Sequence, residues 1–193
     1  MKTLRRLLYK YYAKHKTGPF FALVIKLFCY GPDGKAEWLK LCGLSVGEGT
    51  IIRAELSSFP EPYMVSLGKK VYVASGVSFM THDGSLSWMR RALGHTEKRT
   101  DRMGKIVVKD NCFIGARAII MQNVTVGNNC IIGMGAIVTK DVPDNSVVAG
   151  VPARVICTTD EYLEKYKDCQ DYTGRWSYEK KRAYYENKYR GAR

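Results

Sequence analysis

Residues 108–142 read VKDNCFIGARAIIMQNVTVGNNCIIGMGAIVTKDV, and an apolar residue recurs at every sixth position of this stretch. This first track consists of Val108, Ile114, Ile120, Val126, Ile132 and Val138. A second track of small or β-branched residues follows four positions later, at Cys112, Ala118, Val124, Cys130, Ala136 and Val142. Neither the helix period of 3.6 nor the strand period of 2 explains a spacing of six. Short fixed periods are typical of a parallel β-helix, so the stretch predicts a solenoid.

The same rhythm continues upstream with two interruptions. Its first track there consists of Val46, Ile52, Glu61, Leu67, Val73 and Phe79, with three extra residues before Glu61. A longer break covers about residues 85–101, and Arg102 leads back into register. Glu61 and Arg102 are charged residues on an apolar track, and each follows an insertion. Such departures from the packing pattern are expected where function overrides packing.

We expect each hexad to point one large and one small side chain inward before a glycine or polar residue permits a corner. Three hexads make one triangular coil of about 18 residues, and successive coils stack about 4.8 Å apart as parallel strands. Cys112 and Cys130 are 18 positions apart, so they should stack in one interior column. Two packed free thiols are favoured there over a disulfide.

Residues 132–154, IGMGAIVTKDVPDNSVVAGVPAR, resemble the final coil and exit loop of the hexapeptide-repeat acyltransferases. This family includes galactoside, maltose and xenobiotic acetyltransferases and O-acetyltransferases of surface-polysaccharide synthesis. The resemblance covers about residues 46–157. It implies a left-handed β-helix, an exception to the right-handed crossover rule, together with a homotrimer and acetyl-CoA as the acyl donor.

The predicted fold is therefore mainly β, a left-handed parallel β-helix with helical extensions at both ends. We assign residues 1–45 to an N-terminal helical cap, 46–157 to the β-helix and 158–193 to a C-terminal helical extension. Apolar spacing predicts helices before residue 31, a turn at Gly31–Gly34 and a short helix ending at Gly43. The N-terminal helices either cover the open end of the solenoid, which is favoured, or contact an anionic membrane surface.

The charge of the chain suits an anionic partner. Its 193 residues carry 31 Lys/Arg against 18 Asp/Glu, a net charge of +13, which fits CoA phosphates, acidic glycans or lipid headgroups. No nucleic-acid-binding module accompanies this charge, so nucleic acid is not an expected partner. The six cysteines show no CxxC pair and no metal-ligand spacing, and no cleavable signal pattern is present. We therefore expect no metal and a cytoplasmic protein, either free or at the inner face of the membrane.

The run from Phe79 to Gly84, FMTHDG, lies where the solenoid opens into its long insertion. In the resembled family, a histidine at the end of such a hexad is the general base. The residue at the matching position of this sequence is His82. Acyl transfer from a thioester to a hydroxyl requires removal of the hydroxyl proton, which an imidazole accepts at neutral pH. The resemblance implies direct attack of a saccharide hydroxyl on acetyl-CoA.

Two carboxylates are candidates for orienting His82. Asp83 is assigned to the catalytic set, but neighbouring side chains on a strand point apart, and Asp83 could instead bond the backbone of the turn at Gly84. Glu61 lies 21 residues upstream, close to one coil plus a corner. It resembles an acidic residue of the acceptor pocket in sugar acetyltransferases. Glu61 is therefore predicted either to bind the acceptor or to orient His82.

The remaining site residues are assigned by resemblance. In the insertion, Trp88 could stack on a sugar face, and neighbouring basic residues could meet an anionic acceptor. The CoA groove is assigned to Ala116, Met134, Thr139, Lys140 and Arg154. Lys140 and Arg154 supply the positive charge that the CoA phosphates require.

Other reactions stay open at this point. The runs Glu61-Pro62-Tyr63 and 81–84 resemble polysaccharide O-acetyltransferases and favour a saccharide hydroxyl in cell-surface polysaccharide synthesis. N-acetylation of an amino sugar, or acetylation of an antibiotic, is the alternative. The γ-type carbonic anhydrases share the solenoid but hold zinc with three histidines, whereas this chain has only His82, His95 and, outside the repeats, His15. A non-catalytic structural trimer is a further reading.

Overall fold

The computed structural model describes residues 31–95, 98, 102–168, 171 and 173–190. The chain divides into two compact units, Met1–Asp160 and Glu161–Arg193. In the first unit, most of the short strands form three sheets, here called faces A, B and C. Face A contains β1 (Ser45–Val46), β3 (Val65–Leu67), β8 (Ile106–Val108) and β11 (Thr125–Val126). Face B contains β2 (Ile51–Ile52), β4 (Tyr72–Val73), β9 (Phe113–Ile114), β12 (Ile131–Ile132), β14 (Ser146–Ala149) and β15 (Arg154–Thr158). Face C contains β5 (Ser78–Met80), β10 (Ile119–Met121) and β13 (Ile137–Val138).

Strand pairing follows the six-residue rhythm. Strands β8 to β13 visit faces A, B and C in turn, and parallel partners such as Phe113 and Ile131 are 18 residues apart. The first-track residues point inward, and Ile114, Ile120 and Ile132 are completely buried. Burying a large aliphatic side chain stabilises a fold by about 1.5–3 kcal/mol. The predicted β-helix of 18-residue coils is confirmed.

Asparagines form a ladder along the corner between faces A and B. Asn111, Asn129 and Asn145 have φ values of 58°, 56° and 58°, in the left-handed region that asparagine tolerates better than most residues. Nδ2 of Asn111 donates to Oδ1 of Asn129 at 3.0 Å, and Nδ2 of Asn129 donates to Oδ1 of Asn145 at 2.8 Å. One residue type therefore both permits the corner and joins neighbouring coils.

Replacing Asn129 with alanine is expected to lower the free energy of unfolding by about 2 kcal/mol. Alanine loses both ladder bonds and resists the left-handed conformation. Asn129→Gly should cost less, because glycine also loses the bonds but adopts a positive φ freely. Equilibrium urea unfolding of both variants measures this difference. Equal losses would show that the backbone conformation contributes nothing.

Two cysteines stack inside the β-helix, as their spacing predicts. The N–H of Phe113, next to Cys112, donates to the carbonyl of Cys130 at 2.9 Å, which puts the cysteines on neighbouring coils. Both are buried free thiols. The hydrogen bond with the Cys130 thiol, and then burial, raise the pKa of Cys112 well above its usual value. Cys112 is therefore a neutral packing residue.

Helix α1 (Gly31–Leu41) packs on the first coil. Leu39 is buried, and Nζ of Lys35 donates to the carbonyls of Arg53 and Ala54 at 3.2 and 3.0 Å. The turn expected at Gly31–Gly34 is wrong, because these residues belong to α1; proline is tolerated in a first helical turn, where its missing N–H has no intrahelical acceptor. The helices expected upstream of residue 31 lie outside the described residues.

Two further helices, α3 (Thr159–Lys165) and α4 (Tyr178–Lys188), follow the last strand. Helix α4 begins after Ser177, whose Oγ accepts a hydrogen bond from the N–H of Lys180 at 3.3 Å. Within the second unit, a hydrogen bond from Lys188 and a weaker contribution from one with Tyr184 lower the pKa of Asp171. Among the helices that the structure describes, none combines the length and apolar character needed to cross a bilayer.

Candidate active site

The first interruption of the rhythm forms two 3-10 turns, Leu56–Ser58 and Pro62–Met64. Between them, Phe59 is buried and stacks on Phe79 of β5, with the ring centroids 4.7 Å apart. The extra residues therefore fill the interior with an aromatic ring in place of a regular face C strand. Glu61 directly precedes the second turn and is thereby held next to the end of β5.

The second interruption opens at the end of β5. Strand β6 (His82–Asp83) pairs antiparallel with β7 (Arg102–Met103), and α2 (Ser85–Ala92) lies between them in sequence. The insertion of about residues 85–101 thus contains a helix, since Leu86, Met89 and Ala92 are good helix formers. The N–H of Gly104 donates to the carbonyl of Thr81 at 2.9 Å, and this bond returns the chain to the β-helix.

Glu61, Thr81 and His82 form one hydrogen-bonded group. Oε2 of Glu61 lies 3.0 Å from Nδ1 of His82 and also accepts a hydrogen bond from the hydroxyl of Thr81. Thr81 is completely buried, whereas the His82 side chain is 43% exposed and that of Glu61 19%. A carboxylate that accepts the Nδ1–H leaves Nε2 as the unprotonated nitrogen of a neutral imidazole. The arrangement can therefore take a proton from a bound hydroxyl.

Asp83 makes different contacts. Its Oδ1 accepts a hydrogen bond from the N–H of Ser85 at 2.9 Å, at the start of α2. This bond and a second from the Ser85 hydroxyl lower the pKa of Asp83, and the charge of Arg102, its partner across the β6–β7 pair, adds to the effect. Within the described residues, no hydrogen bond joins Asp83 to the His82 ring. Asp83 holds the turn into α2, and a catalytic role for it stays a prediction.

The residues assigned to CoA flank face C. Ala116 and Met134 lie at the corner between faces B and C, where the N–H of Gly135 donates to the carbonyl of Ala116 at 2.9 Å. Thr139 and Lys140 are exposed residues that follow β13 at the opposite corner. This is also the corner of His82, because β5, β10 and β13 are successive strands of face C. Lys140 is two coils from Thr81, about 10 Å at the usual strand spacing.

Two further assigned residues lie outside the hydrogen-bonded group. Arg154 begins β15, which pairs antiparallel with β14, and its Nη1 donates to the carbonyl of Ala153 at 2.9 Å. Trp88 lies on α2 and is 72% exposed. The structure thus brings Glu61 and His82 into contact and leaves Trp88 facing solvent in the single chain.

Two residues near the site were not assigned from the sequence. Thr81 fixes Glu61 through its hydroxyl, and Gln122 lies one coil further at the same corner, following Met121, the register partner of Met80. Oε1 of Gln122 is buried without a hydrogen-bond partner among the described residues. In the sequence, each of these polar residues lies two positions after a first-track residue. Polar residues at that position normally belong to solvent-exposed corners, so neither residue stood out.

The described part of the chain contains no group of three or more His, Cys, Asp or Glu side chains placed to hold a metal ion. The candidate chemistry is that of the His82 imidazole and the Glu61 carboxylate, which lie in contact. These residues are suited to proton transfer at the surface of a rigid β-helix.

Comparison with known proteins identifies the class. The family model described as hexapeptide repeat of succinyl-transferase matches residues 105–140. Protein CapG of Staphylococcus aureus is 40% identical over 154 residues, which are 79% of this chain and 87% of that protein. The chain belongs to the hexapeptide-repeat acyltransferases. It is an acetyltransferase of that family.

Solved structures agree on the fold. A hexapeptide-repeat-containing acetyltransferase from Vibrio cholerae O1 biovar eltor, complexed with acetyl coenzyme A, matches with a TM-score of 0.51 at 25% identity over 60% of each chain. Galactoside acetyltransferase in complex with coenzyme A matches with a TM-score of 0.54 at 22% identity, over 83% of this chain and 82% of that one. The expected left-handed parallel β-helix is confirmed.

Proposed function

We propose that the protein transfers the acetyl group of acetyl-CoA to a hydroxyl of a saccharide, in cell-surface polysaccharide synthesis. The observation that carries this proposal is the contact between Nδ1 of His82 and Oε2 of Glu61 at 3.0 Å, with the imidazole 43% exposed. A solvent-accessible base whose second nitrogen is held by a carboxylate suits proton removal from a hydroxyl. An amine acceptor would need less help from such a base, because a neutral amine is already nucleophilic.

The reaction proceeds in one displacement. Nε2 of His82 accepts the proton of the acceptor hydroxyl as its oxygen attacks the thioester carbonyl. The new C–O bond forms, the C–S bond breaks, and the proton passes from the imidazolium to the departing thiolate, giving CoA. Glu61 keeps the imidazole in one tautomer and one orientation throughout, and its charge stabilises the imidazolium.

Acetyl-CoA is proposed as the donor because the Vibrio cholerae relative is complexed with it. Lys140 offers a cation at the His82 corner, and Arg154 offers a second one after β14. Exposed Met134 lies at the B–C corner. A homotrimer, which the family resemblance implies, would place a second β-helix against this surface and form a groove for the pantetheine arm. Sedimentation velocity tests the trimer.

The decisive experiment incubates the protein with acetyl-CoA and a panel of saccharides. Free thiol release measures turnover, and mass spectrometry identifies the product. An added acetyl group that mild base removes identifies an ester and supports the proposal. A base-stable amide on an amino sugar or antibiotic would support N-acetylation instead and contradict the hydroxyl acceptor.

Glu61→Gln is expected to lower kcat by about 10- to 100-fold, in the range seen when a carboxylate behind a functional histidine is removed. The neutral amide no longer fixes the Nδ1–H tautomer. Because Glu61 was also assigned to the acceptor, KM and kcat must be measured separately. A rise in acceptor KM with unchanged kcat would assign Glu61 to acceptor binding alone.

Thr81 provides an independent check of this group. Thr81→Val preserves the buried shape but removes the hydroxyl that binds Glu61, and we expect kcat to fall about tenfold. Thr81→Ser should restore most of the activity, because serine returns the hydroxyl. Equal losses in the valine and serine variants would point to packing rather than to positioning of Glu61.

We also propose a cytoplasmic location, free or at the inner face of the membrane. The support is that Cys112, Cys130 and Cys157 are free thiols, which a reducing compartment preserves. Fractionation of cells into soluble and membrane pools tests this location. Release from the membrane pool by high salt would support an electrostatic contact.

A further inference from the structure

Helix α2 ends in two positive charges next to the site. It begins three residues after His82 and rises about 12 Å over its eight residues. Arg90 and Arg91 occupy its last turn, and both are exposed. Among the described residues, no ion pair involves either guanidinium.

The carboxylates of the site do not offset these cations. Glu61 is engaged by Thr81 and His82. Asp83 is engaged by Ser85 and faces Arg102. Over residues 85–105 the sequence has six Lys/Arg against two Asp/Glu, a net charge of +4. The sequence of the insertion that follows His82 is therefore strongly positive.

Resting on the proposed function, we infer that the acceptor is an anionic saccharide, whose carboxylate or phosphate lies against Arg90 and Arg91 while its hydroxyl meets His82. Helix α2 is about 12 Å long, starts three residues after His82 and ends near these arginines, and a saccharide of a few rings covers such a length. Guanidinium groups bind both carboxylates and phosphates through paired N–H donors. Uronic acids and phosphorylated or nucleotide-linked sugars share this chemistry.

The CoA phosphates are the competing ligand for these cations. The family resemblance assigns those phosphates to Lys140 and Arg154, which follow β13 and β14. Arg90 and Arg91 instead belong to the insertion at the end of β5. The two sets are therefore expected to affect different substrates, which kinetics can separate.

The first arm of the test compares one sugar in neutral, uronic acid and phosphorylated form. We expect kcat/KM to be at least about tenfold higher for an anionic form at low salt, with the difference shrinking as ionic strength rises. The better of the two anionic forms identifies the source of the charge. Equal use of the neutral sugar at low salt would overturn the inference.

The second arm uses the double variant Arg90→Gln/Arg91→Gln. Its KM for the anionic acceptor should rise about three- to tenfold, as expected for two exposed charge contacts, and its preference over the neutral sugar should fall. The matched control is Lys69→Gln/Lys70→Gln, another adjacent exposed pair, located at the corner between faces A and B. An equal effect in the control, or a rise in KM for acetyl-CoA instead, would overturn the inference. Failure of the proposed function is distinguishable, because the wild-type protein would then acetylate neither form.

Discussion

Replacing His82 with alanine is expected to lower kcat by about 10²- to 10⁴-fold, the usual contribution of a general base. The alanine variant removes the imidazole that contacts Glu61 and that we propose as the acceptor of the hydroxyl proton. KM for acetyl-CoA should change little, because the cations assigned to the donor lie on other coils. Thiol release under saturating acetyl-CoA and acceptor measures the loss.

The matched control for this variant is His95→Ala. His95 is exposed beyond the end of α2 and has been given no role in the chemistry. It should retain wild-type kcat, and circular dichroism should show both variants folded. Turnover by His82→Ala within a few-fold of wild type would remove the direct-transfer mechanism.

Replacing Phe79 with alanine is expected to lower the free energy of unfolding by about 3–5 kcal/mol. The Phe79 ring is completely buried and stacks on Phe59 with an interplanar angle of 24°. Its removal leaves a cavity where the first interruption meets face C, so the shape that holds Glu61 is lost as well. Equilibrium urea unfolding measures the loss, and catalysis should fall with it.

Phe113→Ala makes the same chemical change on the outer surface of face B. Phe113 is 45% exposed and stacks on Tyr72 with ring centroids 5.2 Å apart. We expect a loss of only about 1 kcal/mol, the usual value of an aromatic pair. If both phenylalanine variants lost the same stability at equal protein concentration, the interior position of Phe79 would not explain its effect.

The repetitive part of the fold could be predicted because one local rule decides it. A first-track side chain such as Ile120 is apolar and is stable only when buried, and the same pattern recurs in every coil. The pattern could not predict β15, which turns back antiparallel onto β14, because parallel stacking is the only pairing that a hexad encodes. The turn expected at Gly31–Gly34 failed for a similar reason, since residues typical of turns are also tolerated in a first helical turn.

The site was predictable only in part. An offset of 21 residues suggested that Glu61 approaches His82, and the structure brings their side chains together. The role of Thr81 could not be predicted from the sequence. Its hydroxyl has a partner only because the first interruption places Glu61 beside it. Helix α2 was also missed, since a break in a repeat does not define what fills it.

The three-faced winding of the β-helix restricts how the gene can change length between β8 and β13. Adding 18 residues would insert one coil and keep Lys140 at the corner of His82, about 4.8 Å further away. Adding a single hexad would keep every apolar residue buried yet rotate all later strands by one face. The protein would remain well packed, but its donor-binding cations would lie on a different edge from the base. Insertions and deletions in this interval are therefore expected in multiples of three hexads.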